Sequence, residues 1–120
     1  MSWSGLERRR FVRANFPCKI TVYVPKEHII STHTENIGVG GVRVIIGENL
    51  KIHSVVGLEI FLTEEPIVCK GKVVWIVEKK IKSTEMLPLY DMGLEFMEIK
   101  EEDRLVIRNF VDSVLSKEEQ

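Results

Sequence analysis

The sequence predicts a mainly β protein, a six-stranded antiparallel barrel closed by a C-terminal α-helix. Three observations predict it. Short runs rich in β-branched and aromatic residues recur from residue 18 to residue 99, separated by Gly-, Pro- and Asn-containing turns. The apolar period then changes from two to three and four, the mark of a helix. Strands of this length and spacing hide their hydrogen-bonding edges most simply by closing on one another.

The elements follow in order. Residues 1–14 read as a flexible basic arm and residues 15–120 as one barrel domain, since 120 residues suffice for one domain and not two. After Pro17, "CKITVYV" alternates around Ile20, Val22 and Val24. "HIISTHTEN" is a second strand with weaker alternation, "IGVGG" a loop and "VRVII" a third strand. "VVGLEIFL" is the fourth. "IVCKGKVVWIVEKK" is a long fifth, with Gly71 the expected site of a bulge. "YDMGLEFMEI" is the sixth. In the last twenty residues Ile107, Phe110, Val111, Val114 and Leu115 share one helical face, so the helix runs over about 101–117. Glu101, Glu102 and Asp103 sit in its first turn, where carboxylates suit the helix dipole.

Composition narrows the function. With 17 basic and 18 acidic side chains the net charge is -1, so no global field recruits DNA or RNA. No apolar run reaches the length of a membrane span, and "MSWSGLERRR" lacks the apolar core of a signal peptide. A cytoplasmic location is expected. Cys18 and Cys69 match no metal spacing and read as small buried hydrophobes. His28, His33 and His53 show no ligand spacing, and no acid–base pair, nucleophile elbow or dinucleotide fingerprint is present. An enzyme is not expected, and neither is a metal or a resident cofactor.

Two stretches carry chemistry. In "ERRRFVRANF", Arg8, Arg9, Arg10 and Arg13 crowd into six residues. A guanidinium binds phosphate with two prongs and stacks on flat rings. The same cluster is equally what a solvated arm or a nonspecific nucleic-acid arm looks like. In "TENIGVGGVRV", Asn36 offers a donor and an acceptor, and Gly38, Gly40 and Gly41 let a backbone approach a ligand. Alone, this stretch reads as a hairpin turn.

Together the two stretches resemble the PilZ domain, a bacterial receptor module for cyclic di-GMP. The family carries RxxxR on an N-terminal arm, which fits here only as Arg9 and Arg13, and [D/N]xSxxG about two dozen residues later, which fits as Asn36 to Gly41. "GKVVWI", "MGLEF" and the helix beginning "EEDR" look like the family's later elements. The resemblance implies a barrel of the split-barrel type whose arm folds across it to clamp the dinucleotide. By that carry-over Arg9 and Arg13 would hold phosphates and guanines, Asn36 would bond a guanine, and Gly41 would supply close backbone approach. Arg8 would meet the extra phosphates of a stacked ligand pair. Trp75 would lie against a base, or equally would form part of the barrel wall.

One departure stands out. The family's motif serine is Gly38 here. A lost neutral hydrogen bond is worth about 0.5–1.5 kcal/mol, roughly tenfold in affinity at most. Two charge-assisted arginine contacts are worth about 1.5–3 kcal/mol each. Weakened rather than abolished binding is therefore expected, with a further cost for ordering a loop of three glycines. The output would act in trans on an unidentified protein partner, by ordering the arm. The competing readings are a PilZ-like protein-interaction module that does not bind nucleotide, and a small nucleic-acid-binding barrel. Against the second, Glu59, Asp91 and Glu95 interrupt the expected basic face.

Overall fold

Alternation of apolar and polar residues gives each strand one face to bury, and the strands of this chain bury it inside a closed sheet. The computed structural model describes residues 13–79 and 88–118. Its strands are β1 (Arg13–Ala14), β2 (Lys19–Val24), β3 (His28–Gly38), β4 (Gly41–Ile46), β5 (Val55–Phe61), β6 (Ile67–Lys79) and β7 (Leu89–Met97), followed by helix α1 (Glu101–Glu118). The sheet runs in the order β1, β3, β2, β5, β6, β7, β4, and β4 pairs back onto β3. Strands β2 to β7 thus form the expected closed, six-stranded antiparallel barrel. Strand β1 is additional. It lies within the stretch read from sequence as an arm, and pairs Arg13 with Gly38 and Ala14 with Ile37.

The core is the inward set of every strand. Ile20, Val22, Ile37, Val42, Val44, Leu58, Ile60, Val73, Met92 and Leu94 are all essentially inaccessible. Gly71 belongs to this inner face, where an added Cβ would meet Leu58 Cδ1 at 2.7 Å. Gly71 thus packs against Leu58 in the core and is not the expected bulge. The irregularity in β6 lies between Val73 and Trp75, at Val74. Helix α1 buries Ile107 and Val111 against the barrel. Its Phe110 ring meets Phe16 edge-on, with centroids 5.3 Å apart.

Cys18 and Cys69 are buried and unpaired, as expected. Burial raises both thiols, Cys69 to about 11, so both are protonated at neutral pH. No helix among the described residues is long and apolar enough to cross a membrane.

Candidate functional site

Two bulges build the site. In β3, Thr34 pairs with Val44 but Asn36 pairs with Arg43, so Glu35 is an extra residue. Thr34 is buried; without the bulge Asn36 would point the same way. The inserted Glu35 resets the phase, turning Asn36 outward and leaving Ile37 fully buried. The bulge at Val74 does the same in β6. Ile67, Cys69, Gly71 and Val73 face inward at every second position, and strict alternation would send Trp75 after them. Instead Trp75 pairs with Gly93 on the outer face. Bulges re-aim side chains in this way, next to functional sites especially.

The result is one row across four strands. Asn36 on β3 pairs with Arg43 on β4, Arg43 with Gly93 on β7, and Gly93 with Trp75 on β6. Gly93 leaves the gap that the indole fills: a Cβ there would stand 2.2 Å from Trp75 Nε1. Trp75 remains 39% exposed, so its ring forms a floor open to solvent rather than part of the core.

Strand β1 delivers Arg13 to one end of this row. Its Nη1 donates to Asn36 Oδ1 at 2.9 Å and to the Gly41 carbonyl at 3.3 Å. The residue as a whole is exposed, yet these neighbours strip some water from the guanidinium and lower its pKa. A guanidinium stays charged regardless. Among the described residues no carboxylate forms an ion pair with it. Arg43 differs, since its Nε and Nη2 grip both oxygens of Asp91 at 2.8 and 2.7 Å. That fork holds the buried Asp91 carboxyl below the usual carboxylate range and raises Arg43.

A hollow of about 290 Å³ opens beside the row, bordered by Arg13, Gly40, Trp75, Glu95 and Arg104. A smaller one of about 130 Å³ reaches Asn36 and Arg43; both share Arg13, Trp75 and Gly93. Among the described residues their rim holds Arg13 without a carboxylate partner, the Glu95 carboxylate at the edge of the larger hollow, amide and guanidinium donors from Asn36 and Arg43, and a flat aromatic floor. Such a set suits an anion carrying a planar base.

The glycine-rich connection is firmer than its sequence suggests. Gly38 and Gly41 are buried strand residues, and only Val39 and Gly40 link them. The Gly40 carbonyl accepts from the Phe96 N–H at 2.9 Å, and the Val39 carbonyl from Arg104 Nη1 at 3.1 Å. No described glycine has a positive φ. Gly41 is needed for its approach to β7: a Cβ would lie 2.2 Å from the Leu94 carbonyl oxygen. Gly38 stands opposite Arg13 in the ladder with no hydroxyl to offer.

Of the residues singled out from sequence, the structure brings together Arg13, Asn36, Gly38, Gly41 and Trp75. Arg8 and Arg9 lie outside the described residues. Sequence reasoning missed Arg43, Gly93, Asp91 and Arg104. Arg43 was detectable as the polar member of "VRV", which alternation sends outward beside Asn36. The Arg43–Asp91 fork spans 48 positions and leaves no local signal. Among the described residues no cluster of His, Cys, Asp and Glu is arranged to hold a metal.

Comparisons with known proteins agree with this fold. Among solved structures, the inhibitor of motility MotI/DgrA of Bacillus subtilis superposes with a TM-score of 0.75 at 24% identity, over 92% of this chain and 52% of that one. The PilZ domain of YcgR from Escherichia coli, solved with cyclic di-GMP, gives 0.71 at 12% identity, over 92% and 93%. MrkH of K. pneumonia gives 0.76 at 12% identity, over 91% and 49%. The chain thus spans about half the length of MotI and MrkH. At these identities the likeness shows the fold. No curated protein sequence matches the chain. The family model described as PilZ domain matches residues 7–113, nearly the whole sequence, and the chain belongs to the PilZ domain family.

Proposed function

We propose that this protein is a receptor for cyclic di-GMP that orders its N-terminal segment on binding and signals to a protein partner in trans. It acts as a ligand-binding regulatory module and not as an enzyme. One observation carries the reading: Arg13, without a carboxylate partner among the described residues, meets Asn36 at the rim of a hollow floored by Trp75 and Gly93. These residues come from distant parts of the chain, and Arg13 of the first motif meets the second through β1–β3 pairing. The PilZ domain of YcgR was solved with the same dinucleotide.

In this mechanism Arg9 and Arg13 meet phosphates and guanine, Asn36 bonds a guanine, and Trp75 stacks on a base. Arg8 faces the phosphates of a second ligand when a stacked pair is bound. Neutralising the arginines by phosphate removes their mutual repulsion, so the segment before β1 settles on the barrel and presents a new surface.

Isothermal titration with cyclic di-GMP tests the reading, with Arg9→Ala and Arg13→Ala as controls of site. Binding that either variant loses while its circular dichroism stays native supports it. No heat at high ligand concentration, with no shift of arginine resonances, overturns it and leaves the nucleotide-independent interaction module. Gly38 in place of serine is the observation that favours this second reading. A partner retained equally with and without nucleotide would establish it.

A further inference from the structure

Asn36 and Arg43 are fixed by their partners, and this fixes what they show the hollow. Arginine only donates, so the Asn36 atom facing Arg13 Nη1 must be its carbonyl oxygen. The Asn36 amide nitrogen, with two N–H groups, is thereby turned to the other side. Arg43 spends Nε and Nη2 on Asp91, whose carboxylate is only 10% exposed. Its Nη1 donates to no acceptor among the described residues, and the side chain is 35% exposed. Arg43 and Asn36 are direct cross-strand partners on the outer face. Both border the 130 Å³ hollow that Trp75 and Gly93 floor. A cavity of about 150 Å³ takes one flat benzene ring, so the hollow is on the scale of a single base ring.

The open N–H groups of Asn36, Arg43 and Arg13 therefore outnumber the acceptor capacity these three leave to the hollow, a second lone pair on the engaged Asn36 Oδ1. A base edge rich in acceptors fits such a set best. Guanine presents N7 and O6, two adjacent acceptors; adenine presents the N7 acceptor and an N6 donor. Adenine would set donor against donor in a partly desolvated hollow, and one pair would be left unmade.

We propose that Arg43, a residue outside both sequence motifs, reads with Asn36 the N7/O6 edge of a guanine stacked on Trp75, and so selects guanine over adenine. The assignment rests on the cyclic di-GMP reading above. Asp91 serves as the positioning residue: its two oxygens hold the guanidinium so that Nη1 addresses the hollow rather than solvent.

The test compares cyclic di-GMP, cyclic di-IMP and cyclic di-AMP by titration against the full chain and its Arg43→Lys and Arg43→Gln variants. Inosine keeps N7 and O6 but lacks the 2-amino group, so it removes one Watson–Crick donor and leaves the N7/O6 edge whole. Lysine keeps a cation against Asp91 and protects the fold, but its single nitrogen cannot grip the carboxylate and face the hollow together. Wild type should prefer both O6-bearing ligands to cyclic di-AMP. Each variant should lose about tenfold for those two and little for cyclic di-AMP, collapsing the preference. Binding of cyclic di-GMP with an unaltered preference in both variants overturns the role of Arg43 alone. So does a wild type that binds cyclic di-GMP and cyclic di-AMP equally. Binding of none of the three ligands by wild type refutes the receptor reading and this assignment with it.

Discussion

Replacing Gly93 by alanine probes the site through one methyl group. The new Cβ would fall 2.2 Å from Nε1, 2.7 Å from Cε2 and 2.9 Å from Cδ1 of Trp75. Ordinary contact begins near 3.4 Å, so the indole must withdraw by roughly 1 Å. It has room to do so, since Trp75 faces outward and is 39% exposed. The fold should lose no more than about 1–2 kcal/mol, because no buried backbone has to yield. Ligand binding should suffer more. Stacking of a base on an aromatic side chain is worth about 1–3 kcal/mol, and an indole moved off the row gives up much of it. The expected loss of cyclic di-GMP affinity is about fivefold to a hundredfold. Fluorescence in a Trp3→Phe background isolates Trp75 as the only indole. The parent's emission should quench on titration, and Gly93→Ala should quench less and at higher ligand concentration. Combining Gly93→Ala with Trp75→Ala should add little to Trp75→Ala alone. A Gly93→Ala protein that binds and quenches like its parent would disprove the stacking floor.

Three further outcomes are expected. Gly41→Ala should cost roughly 3 kcal/mol of folding stability, read by urea denaturation, because the obstructing Leu94 carbonyl is backbone within the β4–β7 ladder; a cost below about 1 kcal/mol would contradict that packing. Asp91→Asn should lose about 1–3 kcal/mol at neutral pH by weakening the fork to Arg43. Because Asp91 titrates below its ordinary value in the fold, its stabilisation is complete above about pH 4 and fades as pH falls through that lower value, so the gap between the two proteins should close in acid; a constant gap would count against it. Gly38→Ser restores the family's hydroxyl and should tighten cyclic di-GMP binding by up to about tenfold in calorimetry; identical affinity would remove the missing hydroxyl as a cause of weak binding.

The barrel was legible because its strands announce themselves by period. "VRVII" and "CKITVYV" alternate cleanly, and both appear as strands within a residue of their expected limits. The helix was legible from the change of period at Glu101. What escaped was phase. Nothing local marks Glu35 or Val74 as an inserted residue, yet these two decide that Asn36 and Trp75 face outward. Gly71 drew attention as a bulge because glycine is the usual signal, whereas what it meets is the Leu58 side chain on the neighbouring strand β5. The glycine-rich link looked loose for the same reason: its anchors, Phe96 and Arg104, are remote in sequence. Arg13 and Asn36 were legible as types at a spacing, while their contact depends on a two-residue ladder.

Besides its buried Ile107 and Val111, helix α1 touches the barrel at two places that flank the site. Phe110 leans on Phe16, three residues beyond Arg13, and Arg104 holds the carbonyl of Val39, two residues before Gly41. Six residues separate the two contacts, a span of about 9 Å along a rod that resists bending. The short stretch from Arg13 to Phe16 thus joins the rim of the hollow to the same rod that carries the exposed side chains Leu105 and Val106.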